Sequence, residues 1–312
     1  MTSTATYPTI SNWLDNHRDE LIQKSCYIFE HPETAYKEKL SSKCLADYLE
    51  TQGFQIEWNT AGIETAFTAA WTNSDIDITK IQPAGKNVSS SNEVPIIGFL
   101  AEYDALPEIG HACGHNLLGT AVCAAACALK ADYESSGEPI VIRVYGCPAE
   151  EDGSGKMHMA KEGVFDELDG AFTWHPSSKN AVDGCSSLAC IGVLYRFHGR
   201  ATHAAGQPHL GRSALDACEL MNLGVNYLRE HVIPEARIHY AYQDVGGAAP
   251  NVVQDHAQLK YFIRAPKITQ VLELIERVND VARGAALMTG TELEIQTAAG
   301  LCDYQPNDVL SQ

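Results

Sequence analysis

The chain has 312 residues, enough for two domains that each bury a hydrophobic core. Its 45% apolar and 20% charged residues are ordinary for a soluble globular protein. Acidic residues outnumber basic ones by 40 to 22, a formal charge of −18, which argues against a nucleic-acid partner or an anionic membrane surface, since both call for positive charge.

Met1 to Asn12 carries neither a basic stretch nor an apolar stretch, so no signal peptide is expected. No apolar run approaches the roughly 18 residues of a membrane span. Ten cysteines lie scattered without the spacing of a disulfide framework, and a reduced, cytoplasmic protein is expected. Cys123 and Cys127, four apart in an Ala-rich stretch, read as small hydrophobes on one helix face.

Helical spacing predicts a first helix over about 11–29, with Leu14, Leu21, Ile22 and Phe29 on its apolar face. A second helix is expected over about 34–52, stopping at Gly53. Strands follow at 54–58 and 65–71, and the polar stretch 73–93 reads as a surface insertion. Then a pattern repeats: an apolar strand at 95–103, a loop with His111 to Asn116, and a helix at 117–130. A second apolar strand at 140–145 leads to the loop 147–155 and a short helix, and a third strand at 171–174 ends at His175. Apolar strands without polar alternation, separated by helices, predict an α/β fold with a largely parallel sheet covered on both faces.

After about Ser186 the pattern changes. Alternating strands carry Ile191 to Phe197, Ile238 to Tyr242, Leu259 to Ile263 and finally Leu293 and Ile295. Helical faces are carried by Leu215 to Leu228 and by Val271 to Ala285. The order β-α-β-β-α-β predicts a separate ferredoxin-like α+β domain. The domains are therefore read as 1–186, 187–299 and 300–312. The alternating strand through Ile191 to Phe197 is expected to pair edge to edge with its copy in a two-fold dimer.

Three polar clusters occupy equivalent places. His111-Ala-Cys113-Gly-His115 follows the first sheet strand, Glu150-Glu151-Asp152 the second, and His175 the third. Taken singly, adjacent glutamates are usually a solvated turn and a lone His before Pro a surface residue. At the carboxyl ends of successive parallel strands, however, the clusters share one edge, where ligands bind. Thiolate, imidazole and carboxylate together suit zinc or another first-row divalent metal. Of two adjacent carboxylates, one can hold metal while the other serves as general base.

At these residues a resemblance becomes specific. Ala101-Glu-Tyr-Asp-Ala-Leu-Pro, Gly110-His-Ala-Cys-Gly-His-Asn-Leu-Leu-Gly-Thr, Cys147-Pro-Ala-Glu-Glu-Asp-Gly-Ser-Gly-Lys, Trp174-His-Pro, and His203-Ala-Ala with Pro208-His-Leu-Gly-Arg-Ser-Ala-Leu-Asp-Ala resemble the aminoacylase/carboxypeptidase metallohydrolases. The resemblance runs from about His31 to the last residue. It implies an aminopeptidase-like catalytic domain whose first segment is 1–186 and whose returning segment starts at 300–312, with 187–299 inserted as a lid and dimerisation domain. That domain would hydrolyse the amide of an N-acyl amino acid or dipeptide-like substrate with a free carboxylate, aminobenzoyl-glutamate among them. It implies two divalent ions, zinc or manganese, held by Cys113, His115, Glu151 and His175, with Glu150 as general base. It further implies that His203 steadies the oxyanion from the partner subunit of a homodimer, and that Asn251 and Arg264 hold the substrate carboxylate. Asp104 is expected to orient a metal ligand.

One departure stands out. In the family the chain returns from the lid and supplies a further histidine ligand, whereas here no histidine follows His256. A catalytic domain truncated at its C-terminus, weak or inactive as it stands, is therefore expected. The rival reading is a catalytically inactive fragment or dimerisation subunit that keeps the lid.

Overall fold

Two nearly uninterrupted apolar runs form the centre of the first sheet, β3 (Ile96–Glu102) and β4 (Val141–Cys147), paired in parallel with Glu102 opposite Cys147. In the computed structural model, which describes residues 7–76, 94–182 and 184–311, the chain divides into two compact units, Met1–Asn180 and Ala181–Gln312.

In the first unit β5 (Gly170–Phe172) adds to β3 in parallel, while β2 (Phe67–Thr72) and β1 (Gln55–Trp58) extend the other side antiparallel. The order is β1-β2-β4-β3-β5. The predicted parallel centre is therefore there, and the two short strands that precede it make the sheet mixed. Against one face pack α1 (Pro8–Glu30), α2 (Lys39–Thr51) and α3 (His115–Ser136), burying Ile28, Leu45, Leu49, Leu118, Val122 and Ile142. Cys123 and Cys127 lie in this core as small apolar groups. Beside α4 (Gly155–Lys161), Tyr145, Cys147 and Met159 form a second cluster. Such continuous burial is what parallel strands covered by helices require.

The face expected of α1 is corrected. Leu14, Ile22 and Phe29 are exposed, and the helix packs through Trp13, Leu21, Ser25 and Ile28. The polar stretch 73–93 lies outside the described residues from position 77 on.

The second unit is a four-stranded antiparallel sheet of β6 (Ala189–His198), β7 (Arg237–Asp244), β8 (His256–Ala265) and β9 (Glu292–Leu301) in the order β7-β8-β6-β9. With α5 (Ala214–Leu228) and α6 (Ile268–Thr289) it is the ferredoxin-like arrangement. Val193, Tyr195 and Phe197 of β6 interleave with Leu259, Tyr261 and Ile263 of β8 beneath Met221, Val225, Val271 and Val278 of the helices. This overturns the expected role of the strand through Ile191 to Phe197. β6 is interior, bonded to β8 on one side and β9 on the other, so it has no edge to offer a second copy. The open edges of this sheet are β7 and β9.

Candidate metal centre

The register that sets Glu102 beside Cys147 brings the carboxyl ends of β3 and β4 to one level. The loops that follow therefore converge on one edge, together with the N-terminus of α3. Gly114, at φ 86°, forms the turn into α3 and separates Cys113 from His115, a backbone that a residue with a side chain rarely adopts.

His115 is completely buried. Its Nδ1 lies 3.0 Å from both the carbonyl and Oδ1 of Asp104, which fixes the ring and leaves Nε2 directed into the centre. Around Nε2 stand Glu102 Oε2 at 3.1 Å, Glu150 Oε2 at 3.9 Å and Glu151 Oε1 at 3.9 Å. Asp104 also reaches the neighbouring loop, where its Oδ2 accepts the backbone N–H of Glu151 at 3.0 Å. The expectation that Asp104 orients a ligand thus has a geometric counterpart. Across the site Cys113 Sγ lies 3.2 Å from His175 Nε2, and the His115 and His175 rings meet edge to face at 5.9 Å.

Two groups of donors share His115. Cys113, His115 and His175 have ligand atoms within 4.8 Å of one another, and so do Glu102, His115 and Glu150. Glu151 stands beside both, with Oε1 buried and, like Nε2 of His115, without a hydrogen bond. Buried polar atoms left in this state cost free energy, and an ion between them removes that cost. Thiol, imidazole and carboxylate are the ligands that zinc and its neighbours take.

The electrostatics point the same way. Burial, then the hydrogen bond and charge of Glu151, push the Cys113 thiol up to about 12. Burial and then the charge of Glu102 raise Glu150. Burial works to lower His115, but the hydrogen bond of Asp104 and the charges of Glu102, Asp104 and Glu150 outweigh it, and the net shift is upward. In all three the neighbouring carboxylates favour the protonated form, as crowded negative charge must, and a divalent cation reverses that sign.

Glu102 is the residue that sequence reasoning did not single out. It is buried at the end of β3, with Oε1 on Lys156 Nζ and Oε2 facing His115. Its one signal was position, the last residue of an apolar strand just before Asp104.

In the second unit, His203 and Asn251 come together. His203 pairs with Val252 in an isolated bridge, and Ala204 N–H donates to the Asn251 carbonyl at 2.9 Å. The N–H groups of Ala205 and Gly206 donate to His203 Nδ1 at 3.2 and 3.0 Å. With Nδ1 engaged as an acceptor, a neutral ring carries its proton on Nε2, which makes that atom a hydrogen-bond donor. Arg264 is not with them. It lies half-buried near the C-terminal end of β8, beside the Phe262 ring, while the His203–Asn251 pair adjoins the strand's start. Eight residues of strand separate His256 from Arg264, roughly 26 Å at 3.3 Å per residue.

The chain thus combines a mixed sheet that gathers buried acid, thiol and imidazole at one edge with a ferredoxin-like unit. Residues 190–287 match the peptidase dimerisation domain, and over most of its length the chain is similar to the aminoacylase/carboxypeptidase-type metallohydrolases of the M20 peptidase family. It is 42% identical over 321 residues to one of the subunits of the p-aminobenzoyl-glutamate hydrolase of Escherichia coli, an alignment covering 97% of this chain and 63% of that one. It is 35% identical over 291 residues to the Xaa-Arg dipeptidase of Mus musculus, covering 92% of this chain and 64% of the relative. The chain thus spans under two thirds of the length of either. Among solved structures, the aminobenzoyl-glutamate utilization protein of Klebsiella pneumoniae superposes with a TM-score of 0.71 at 20% identity, over 96% of this chain and 80% of that one. A Bacillus subtilis protein described as a dinuclear metal binding peptidase of the M20 family superposes with a TM-score of 0.63 at 18% identity, over 95% and 78%.

Proposed function

We propose that the protein hydrolyses the amide bond of an N-acyl amino acid or dipeptide-like substrate with a free carboxylate, using two divalent ions, zinc or manganese. The observation that carries this reading is the pair of donor groups sharing the buried His115. Cys113, His115, Glu151 and His175 are the ligands, and Asp104 holds both the His115 ring and the Glu151 backbone. When bound, such ions polarise the scissile carbonyl and lower the pKa of water to about 7. Glu150, the most exposed carboxylate of the centre, takes the proton from the attacking water and delivers it to the leaving amine. His203 donates from Nε2 to the oxyanion.

Asn251 and Arg264 hold the substrate carboxylate, Arg264 through its planar fork. Separated by the length of β8, they meet one small substrate only from opposite subunits of a homodimer. Dimerisation proceeds through the lid. Its edge strand β7 has seven of its eight residues exposed, and α5 leaves Leu223 and Tyr227 at the surface. The buried Cys123, Cys127, Cys147, Cys190 and Cys218 are free thiols, as in a reducing cytoplasm, and no described helix is long and apolar enough to cross a membrane.

The test is turnover of a panel led by aminobenzoyl-glutamate and Xaa-Arg dipeptides, with zinc or manganese added. Release of the free amino acid is the expected result. Mixing His203→Ala with Glu150→Gln subunits should restore activity, because one of the two hybrid sites then holds both wild-type groups. Hybrids as inactive as their parents would place both groups in one chain.

A further inference from the structure

Glu38 is a completely buried carboxylate of the first unit, 111 residues away in sequence from Ala149, which opens the loop carrying Glu150 and Glu151. Its Oε1 accepts the backbone N–H groups of Ala149 and Tyr36, each at 2.9 Å, and its Oε2 accepts the Thr65 hydroxyl at 2.9 Å. Among the described residues no cation pairs with it. A buried charge held by neutral dipoles alone is expensive, so what those dipoles belong to matters.

Both backbone groups held by Oε1 belong to residues in the left-handed region, Ala149 at φ 57° and Tyr36 at φ 62°. Neither is glycine, and such backbone persists only where its surroundings over-determine it. A second strut runs parallel to the first. The Tyr36 hydroxyl donates to the Gly153 carbonyl at 2.6 Å, so the segment that Glu38 grips at Ala149 is gripped again four residues on. Between the struts the loop closes on itself, with Gly155 N–H donating to the Ala149 carbonyl at 3.1 Å. A Cβ at Gly155 would fall 2.0 Å from the Pro148 carbonyl oxygen, so only glycine fits there.

We propose that Glu38, seconded by Tyr36, is a positioning residue for the reaction: it clamps Ala149 in the left-handed conformation and thereby fixes the directions in which Glu150 and Glu151 leave the end of β4. The proposal rests on the reading of Glu150 as base and Glu151 as ligand. A reacting group displaced by about 1 Å can lose about 100-fold in rate, so a clamp one residue before both carboxylates is placed to matter.

The full chain carrying Glu38→Ala, Glu38→Gln or Tyr36→Phe tests this by three readouts. These are hydrogen exchange of residues 148–155, zinc affinity by competition titration, and the split between kcat and KM. Glu38→Ala should lose exchange protection in 148–155 while α1 to α3 keep theirs. Its zinc affinity should fall at least about tenfold, and kcat about 100-fold with KM nearly unchanged. Glu38→Gln keeps an acceptor oxygen for Ala149 and Tyr36 and should recover most of each loss. Tyr36→Phe should show a smaller, local loss with the fold intact.

Unchanged protection and zinc affinity in Glu38→Ala would overturn the proposal. So would protection lost across the whole first unit in both Glu38 variants, which is the mark of a group that only stabilises. If Glu38→Ala does not fold, unaltered exchange at 148–155 in Tyr36→Phe overturns it. A wild-type chain that hydrolyses no amide of the panel would defeat the proposed function, while exchange and zinc affinity would still decide on the clamp.

Discussion

The two units bury different things. Among the described residues, the second unit buries two polar side chains, Asn222 and Asn279, and each has a tyrosine hydroxyl donating to it: Tyr261 to Asn222, and Tyr195 to Asn279 at 2.8 Å. The rest of its core is aliphatic and aromatic, laid out in alternation on an antiparallel sheet. The first unit buries Glu38, Glu102, Asp104, His111, His115 and Arg143 as well as several hydroxyls. Every described non-glycine residue with positive φ also lies there, among them Tyr36, Ala149 and Ser154. Burying ionisable groups and straining backbone both oppose folding, so their concentration in one unit marks it as the one shaped by chemistry. The other is shaped by packing.

The largest expected effect breaks that contrast at its centre. Glu150→Gln should lower kcat by about 10²–10⁴-fold and leave metal per chain nearly unchanged by elemental analysis. Glu151→Gln should lose metal. The opposite outcome would exchange the two roles. Glu150 and Glu151 lie at the same distance from His115, 3.9 Å, so distance alone does not rank them. Their exposure does: the Glu150 side chain is 37% exposed and Glu151 18%, which suits a group that must meet water and one that must hold an ion.

Much of this was legible from the chain itself. The apolar runs that become β3 and β4 announced buried parallel strands, and the three polar clusters that follow successive strands did meet at one edge. Where reading failed, the information was not local. β6 alternates as an edge strand does, but its two neighbours come from 256–265 and 292–301, far along the chain. The face of α1 was misjudged because Ile22 and Phe29 are apolar enough for a core, while the side turned inward includes Ser25, whose hydroxyl accepts from Asn116 Nδ2 at 3.1 Å. Glu102 looked like the end of a strand, and nothing in its neighbouring sequence shows that Nε2 of His115 stands beside it. The distance between Asn251 and Arg264 follows from the length of β8, which their 13-residue spacing does not reveal.

Packing in the second unit should be the next most sensitive property. Leu259 is fully buried on β8, opposite Tyr195 of β6. Leu259→Ala should cost about 2–5 kcal/mol in the second unit's unfolding, read by urea titration, through lost burial and the cavity left behind. Metal content should not change. A variant that lost metal along with second-unit stability would show that the two units do not divide the labour as their cores suggest. A smaller effect is expected in the first unit at Lys156, whose Nζ meets Glu102 at the candidate metal centre. Burial works to lower Lys156, but Glu102 and Glu150 raise it overall, so the ammonium is the favoured form. Lys156→Met leaves Glu102 buried without its ammonium partner, a loss of about 2 kcal/mol in metal-free protein. Added zinc should recover part of it, since a cation then faces the same carboxylate. Equal losses with and without zinc would separate Glu102 from the centre.

The smallest effect concerns His256 of the second unit. His256 opens β8, with Nδ1 2.6 Å from Asp255 Oδ1 and Nε2 3.4 Å from Asp244 Oδ2. The hydrogen bond with Asp255, and then the charge of Asp244, hold its pKa above the ordinary histidine value. A group whose folded pKa is raised stabilises the fold fully below its unfolded pKa, about 6.5, and that contribution disappears as pH rises through the higher folded value. The second unit should therefore lose a little stability between about pH 6 and pH 8. With the side chain 54% exposed, solvent screening limits the loss to about 0.5 kcal/mol or less. Urea titrations of wild type and His256→Gln at pH 5.5 and 8.5 measure it. The difference between the proteins should be present at the lower pH and absent at the higher. It should shrink further in 1 M salt, where the Debye length is about 3 Å. A difference that persisted at pH 8.5 would assign His256 to packing, and the second unit would then depend on charge no more than its aliphatic core implies.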